Sequence, residues 1–136
     1  MRGLPDWFSY EPGLADCANA VRTQAGWVAE DAGTVVGFAT WEERTKYTAE
    51  VTWMAVQRER RLSGIGTQVI EALVDDLRSR GYRLALAMTS ARSKVPDSGP
   101  DTYEETRRFW TARGFLTLID LDIWQTDIAL LQVRAL

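Results

Sequence analysis

The segment of this 136-residue chain best suited to chemistry is the basic loop Arg58-Glu59-Arg60-Arg61 followed by Gly64-Ile65-Gly66-Thr67. It lies between a strand-like run, Val51 to Val56, and the clearest helical pattern in the chain, where Val69, Ile70, Leu73, Val74 and Leu77 trace one face from Ile65 onward. Strand, basic loop, glycines and helix, in that order, build an anion site. The first N–H groups of a helix have no intrahelical partner, and glycines let a phosphate approach them without interference from a Cβ. A pyrophosphate fits there. The helix dipole contributes only about 0.3 to 1 kcal/mol per charge, so Arg60 and Arg61 are wanted as further positive partners. Two other phosphate motifs do not fit. A Walker A loop needs Gly-Lys-Ser/Thr, whereas Thr67 follows Gly66 directly; a dinucleotide fingerprint needs a small residue where Val69 stands and an acid where Leu84 and its neighbours are apolar. An ordinary strand-to-helix turn would also explain a lone Gly-x-Gly.

The rest of the composition limits what can act at such a site. There is no histidine, so proton transfer falls to carboxylate, tyrosine, cysteine, lysine or water. The single Cys17 excludes an internal disulfide and a multi-cysteine metal site, suits a reducing cytoplasm, and reads best as a small buried helix residue; no metal is expected. A net charge of −3 argues against nucleic acid as a partner. No apolar run approaches the roughly 18 residues of a membrane span, and Met1 to Tyr10 does not resemble a signal peptide, so a cytoplasmic location is expected. With 46% hydrophobic residues, the chain is expected to fill one domain over 1–136.

The elements that position the loop follow from period and punctuation. Pro12 to Thr23 carries Leu14, Cys17, Ala18 and Val21 at helical spacing, and Gly26 precedes a strand at Trp27 to Glu30. Ala32-Gly33 forms a hairpin turn into a strand over Thr34 to Trp41, and a polar loop leads to a third strand, Glu50 to Val56. The helix from Ile65 ends with Arg78 and Arg80 in its last turn and Gly81 as its stop. Leu84 to Met88 reads as a buried strand, parallel to the third through the crossover. After a loop over Ser93 to Pro100, Asp101 and Glu104 form a capping box for a helix to Arg113, closed by Gly114; Phe115 to Asp122 and Ile128 to Val133 are strands.

These motifs together resemble the GCN5-related N-acetyltransferase family, in particular its short bacterial members. Arg61-Leu62-Ser63-Gly64-Ile65-Gly66 matches the family's Arg/Gln-x-x-Gly-x-Gly/Ala loop, preceded by a strand ending Met54-Ala55-Val56. Tyr103 to Trp110, with Phe109 among them, followed by Arg113-Gly114-Phe115, is similar to the family's second block; Leu4 to Phe8 and Trp124 extend the likeness over nearly the whole chain. The resemblance implies an α+β fold: a central twisted mixed sheet, antiparallel in its N-terminal part, with flanking helices and a parallel, splayed strand pair. It implies acetyl-coenzyme A as co-substrate, held by Met54, Ala55, Val56, Arg61, Leu62, Ser63, Gly64, Ile65, Gly66, Thr67 and Phe109.

The family's chemistry implies direct attack by a primary amine, with a backbone N–H near Met54 stabilising the oxyanion and no covalent acyl-enzyme. Glu50 is the first choice of base, with Glu42 and Glu43 behind it, although each also reads as a solvated strand-end charge. Where many members place an acidic tyrosine, four residues before the Gly of Gly-Phe, this chain has Trp110, and indole cannot serve as an acid. Tyr103, two turns earlier, is the substitute candidate, against a packing role. Trp7, Phe8, Trp41, Trp53, Tyr103 and Trp124, with Glu43 among the nearby carboxylates, would flank the cleft for a small-molecule or peptide amine, although the tryptophans also read as core. A homodimer is compatible with this pattern. The alternative reading is a catalytically inactive acyl-coenzyme A binding module.

Overall fold

A computed structural model describes residues 25–57, 64–97 and 99–136. The helix expected over Pro12 to Thr23, together with Cys17, Trp7, Phe8, Arg61, Leu62 and Ser63, lies outside the described residues.

The described chain runs β1 (Ala25–Asp31), β2 (Thr34–Thr45), β3 (Thr48–Val56), α1 (Ile65–Ser79), β4 (Leu84–Ser93), α2 (Glu104–Ala112), β5 (Leu116–Leu121) and β6 (Asp127–Ala135). Six strands form one mixed sheet in the order β1-β2-β3-β4-β6-β5, with β3 and β4 parallel and every other pair antiparallel. This is the expected architecture. Ala32 and Gly33 both take positive φ, 52° and 82°, the pair of left-handed residues that a two-residue hairpin matching strand twist requires.

The polar stretch after Trp41, expected as a loop, is strand instead. β2 and β3 stay paired as far as Thr45↔Thr48, so only Lys46 and Tyr47 turn the chain. Glu42 and Glu50 stand opposite each other there, a repulsive arrangement, and Arg44 bridges them at 3.0 and 2.9 Å. β4 also outruns its apolar pattern, since Thr89 and Ser90 continue the ladder with β6 while buried. The capping box is not formed. Asp101 Oδ1 accepts the N–H of Tyr103 at 3.0 Å, Asp101 pairs with Arg107, and the N-cap is Tyr103, two residues past Asp101, with the helix opening at Glu104.

Both helices end in the same way. After α1, Gly81 (φ 92°) donates to Arg78 O and Tyr82 to Leu77 O, each at 3.1 Å; after α2, Gly114 (φ 87°) donates to Thr111 O and Phe115 to Trp110 O, each at 3.0 Å. This paired pattern needs a left-handed residue and is completed by an apolar contact across the cap. Trp110 and Phe115 supply that contact edge to face, 4.9 Å between centroids.

The core lies between one sheet face and the two helices. Val69, Ile70, Leu73, Val74 and Leu77 of α1 pack against Ala39, Trp41, Ala49, Val51, Ala85 and Ala87, with Trp110 and Phe115 at the α2 end. Small residues on β3 and β4 let α1 lie close to the sheet. Leu73, fully buried here, tests this packing: Leu73→Ala should lower unfolding stability in urea by about 2 to 5 kcal/mol with little change in m-value.

Candidate active site

The site is built by a fork in the sheet. The parallel ladder joins Thr48↔Leu84 through Val51↔Ala87 and goes no further, although β3 continues to Val56 and β4 to Ser93. The next residue of β3 is a bulge. Trp41 pairs with Val51 but Thr40 with Trp53, so Thr52 is an extra residue, its hydroxyl 2.9 Å from that of Thr40. A bulge bends its strand and strengthens its twist, which carries the end of β3 away from β4. The N–H of Gln57 donates to Val36 O at 2.7 Å, and alternation back along the antiparallel ladder turns the main-chain groups of Met54 away from β2 and into the fork.

The N-terminus of α1 sits at the mouth of this fork. Gly64 caps it with φ 85° and no side-chain cap bond, and the first turn contains no acidic residue. Gly66 marks where three elements converge: a Cβ there would lie 3.0 Å from the Phe109 ring and 3.3 Å from Met54 Cε. Gly37 likewise admits Ile65, whose Cγ2 would be 3.1 Å from an added Cβ.

A family model, "Acetyltransferase (GNAT) family", matches residues 4–95, about two thirds of the chain. The chain belongs to the GNAT acetyltransferase family. A GNAT-family protein from Desulfovibrio desulfuricans shares the fold with a TM-score of 0.77 at 24% identity, over 98% of this chain and 88% of that one. Ard1 from Thermoplasma volcanium gives 0.75 at 18% over 96% and 84%. A GNAT acetyltransferase from Elizabethkingia anophelis, solved with acetyl-CoA bound, gives 0.73 at 14% over 93% and 85%. No curated protein matches the chain.

Within this GNAT sheet, Met54, Ala55, Val56, Gly64, Ile65, Gly66, Thr67 and Phe109 are gathered around the fork and the opening turn of α1. Glu50 is four residues before Met54, about 13 Å along the strand, and on the face opposite α1, beside Glu42 and bonded to Arg44. Trp41 and Glu43 lie at the far end of β2, by the C-terminus of α1: Trp41 is 8% exposed and stacks edge to face on Tyr82, whose hydroxyl donates to Glu43 at 2.6 Å. That bond holds the Tyr82 hydroxyl above its usual pKa. Trp124, 36% exposed, lies between β5 and β6 near the C-terminal end of β4, its carbonyl accepting from Lys94. Trp110 is 6% exposed and packs inward. Tyr103 is 45% exposed at the N-cap of α2, six residues and about 9 Å along the axis from Phe109.

Two residues at this site were not among those expected to bind or react. Arg113, just past α2, donates to Thr67 Oγ1 at 2.5 Å and lies over the Phe109 ring at 5.2 Å, which brings a cation to the first turn of α1. Thr89 is buried beyond the fork's apex. Among the described residues, no group of three or more His, Cys, Asp or Glu could hold a metal, and no helix is long and apolar enough to cross a membrane.

Asp101 sets the start of α2 electrostatically. Its carboxyl is held below the ordinary value of 3.8, first by the hydrogen bond from Arg107 and then by the Tyr103 N–H. With a folded pKa below the unfolded one, its contribution is complete above the unfolded value and disappears as pH falls through the folded one. The amide resonance of Tyr103 should therefore titrate with a midpoint below 3.8 and lose that transition in Asp101→Asn; a midpoint at or above 3.8 would contradict the pairing.

Proposed function

We propose that the protein transfers an acetyl group from acetyl-coenzyme A to a primary amine by direct attack at the β3–β4 fork. One observation carries this: the ladder stops at Val51↔Ala87 beside the N-terminus of α1, whose N-cap is Gly64 and whose first turn holds no acidic residue. Acetyl-coenzyme A supplies an acyl carbon already activated as a thioester. The N–H groups of Gly64, Ile65, Gly66 and Thr67 receive the pyrophosphate, and Arg113 adds the positive partner that backbone dipoles alone supply weakly. Arg61, Leu62 and Ser63 are assigned to the same coenzyme on the family motif alone. Met54, Ala55 and Val56 line the pantetheine path with Phe109 beneath, and Met54 offers its N–H to the developing oxyanion.

The amine reaches the fork from the face opposite α1, where Glu50 stands. An alkyl amine with pKa near 10.4 costs about 4.6 kcal/mol to deprotonate at pH 7, and at its distance from Met54 Glu50 acts as base through a chain of water. Trp53 shares that face, and Trp7, Phe8 and Trp124 are the remaining candidates to flank a small-molecule or peptide amine; Trp41 and Glu43 would contribute only from the distal end. We assign the whole chain to one acetyltransferase domain acting in the cytoplasm. A second reading, an inactive acyl-coenzyme A binding module, is favoured only by the inward packing of Trp110 where many relatives have tyrosine.

Calorimetric titration tests the site. Acetyl-coenzyme A should bind, and Arg113→Gln should weaken it by about tenfold or more while leaving S-acetylpantetheine, which lacks the pyrophosphate, unchanged. Failure of the folded protein to bind acetyl-coenzyme A overturns the reading, and binding without thiol release from any of a panel of amines favours the inactive module. Once turnover is in hand, Tyr103→Phe decides the general acid: a fall of about 100-fold in kcat with unchanged coenzyme affinity supports it, and a fall below about threefold leaves Tyr103 a packing residue.

A further inference from the structure

Thr89 is only 6% exposed, and its hydroxyl oxygen has no hydrogen-bond partner among the described residues. An unpaired buried hydroxyl destabilises a fold, and valine would fill the same space without that penalty. Its place in the sheet supplies a reason to keep it. The β3–β4 register runs residue for residue to Val51↔Ala87, and the extra residue Thr52 then sets Met54, not Trp53, opposite Thr89 across the fork. The faces agree. Met54 pairs with Ala39, Thr89 follows Ala85 and Ala87 at every second position, and all three alanines belong to the core on the α1 face. Thr89 thus brings a polar side chain to one wall of the fork while Met54 turns its main chain in from the other.

We propose that the Thr89 hydroxyl donates a hydrogen bond to the thioester sulfur as it leaves, making Thr89 a catalytic residue for thiolate departure in place of the acid absent at Trp110. The inference rests on the reading of the fork as an acetyl-coenzyme A site. In the step, the amine lone pair forms the C–N bond, the C–S bond breaks, and its electron pair departs on sulfur as thiolate. The proton lost by nitrogen passes to Glu50 or water. Threonine keeps its own proton, because its hydroxyl is far too weak an acid to give it up; the O–H···S⁻ bond stabilises the thiolate until solvent protonates it. Carbonyl oxygen and sulfur would then each have a donor, Met54 N–H and Thr89 O–H, on opposite walls.

Coenzyme A itself is the probe, since its thiolate absorbs in the ultraviolet and can be titrated in the complex with no acceptor known. Thr89→Val should raise the pKa of the bound thiol by about one relative to wild type, a tenfold loss of thiolate at a given pH, and Thr89→Ser should restore it. Coenzyme affinity at neutral pH, where the thiol is protonated, should be unchanged, and the melting temperature of Thr89→Val should equal or exceed that of wild type. If Thr89→Val does not fold, Thr89→Ala replaces it in the same titration. An unchanged thiol pKa in a coenzyme-binding variant overturns the role of Thr89 alone. A lower melting temperature with an unchanged thiol pKa makes it a packing residue. Wild-type protein that binds no coenzyme A overturns the reading of the fork, and the role of Thr89 with it.

Discussion

The extra residue in β3, Thr52, is the constraint from which the site follows. Up to Val51 the strand shares a regular ladder with β4; beyond the bulge it pairs only with β2, and the two parallel strands part. Opening a sheet in its middle normally leaves main-chain donors and acceptors unsatisfied, which is costly when they are buried. Here the opening lies where α1 begins, so the uncovered backbone of Met54 and the orphan N–H groups of the first turn face one space. The Thr40 and Thr52 hydroxyls, 2.9 Å apart in a half-buried setting, tie the bulge to β2.

Around the fork, packing is set by small residues. Ala49, Ala85 and Ala87 bring the buried stripe of α1 onto the sheet, while Gly37 and Gly66 permit contact with Ile65 and Phe109 that a methyl group would crowd. The second helix is fixed at its C-terminal end by Gly114, with the rings of Trp110 and Phe115 closing the cap. The same geometry accounts for an aromatic four residues before the glycine: that position is the carbonyl acceptor of the cap, and its ring belongs to the core. A tyrosine there would have to choose between the core and the fork.

The charged groups divide by location. Pairs such as Arg78 with Asp75 and Arg108 with Glu104 are exposed neighbours on one helix and contribute little. Arg134 is more constrained, donating to Glu71 at 2.9 Å and to the carbonyl of Arg113 at 2.8 Å; it is the main reason the Glu71 carboxyl sits below its usual range. Bonded to that carbonyl, Arg134 also steadies the backbone from which Arg113 reaches Thr67.

Local chemistry by itself determined much of this protein. The apolar stripe from Ile65 to Leu77, the glycine stops at Gly81 and Gly114, and the Ala32-Gly33 turn were legible because helix period, left-handed caps and hairpin turns are short-range requirements. The order of strand, glycine loop and helix was legible for the same reason, and the family with it. Tertiary structure alone decided the rest. A bulge is a difference of register between two strands, so nothing in Val51 to Val56 announces that Thr52 is the extra residue. Glu42 to Arg44 look like a polar loop until the pairing partner and its carboxylate are in place. Asp101 is tied into a turn before α2, one oxygen accepting the Tyr103 N–H and the other facing Arg107, a pairing six residues apart that the capping pattern does not reveal. Arg113 and Thr89 become neighbours of the fork only through contacts across 46 residues to Thr67 and a crossover between parallel strands, distances over which sequence pattern carries no geometric information.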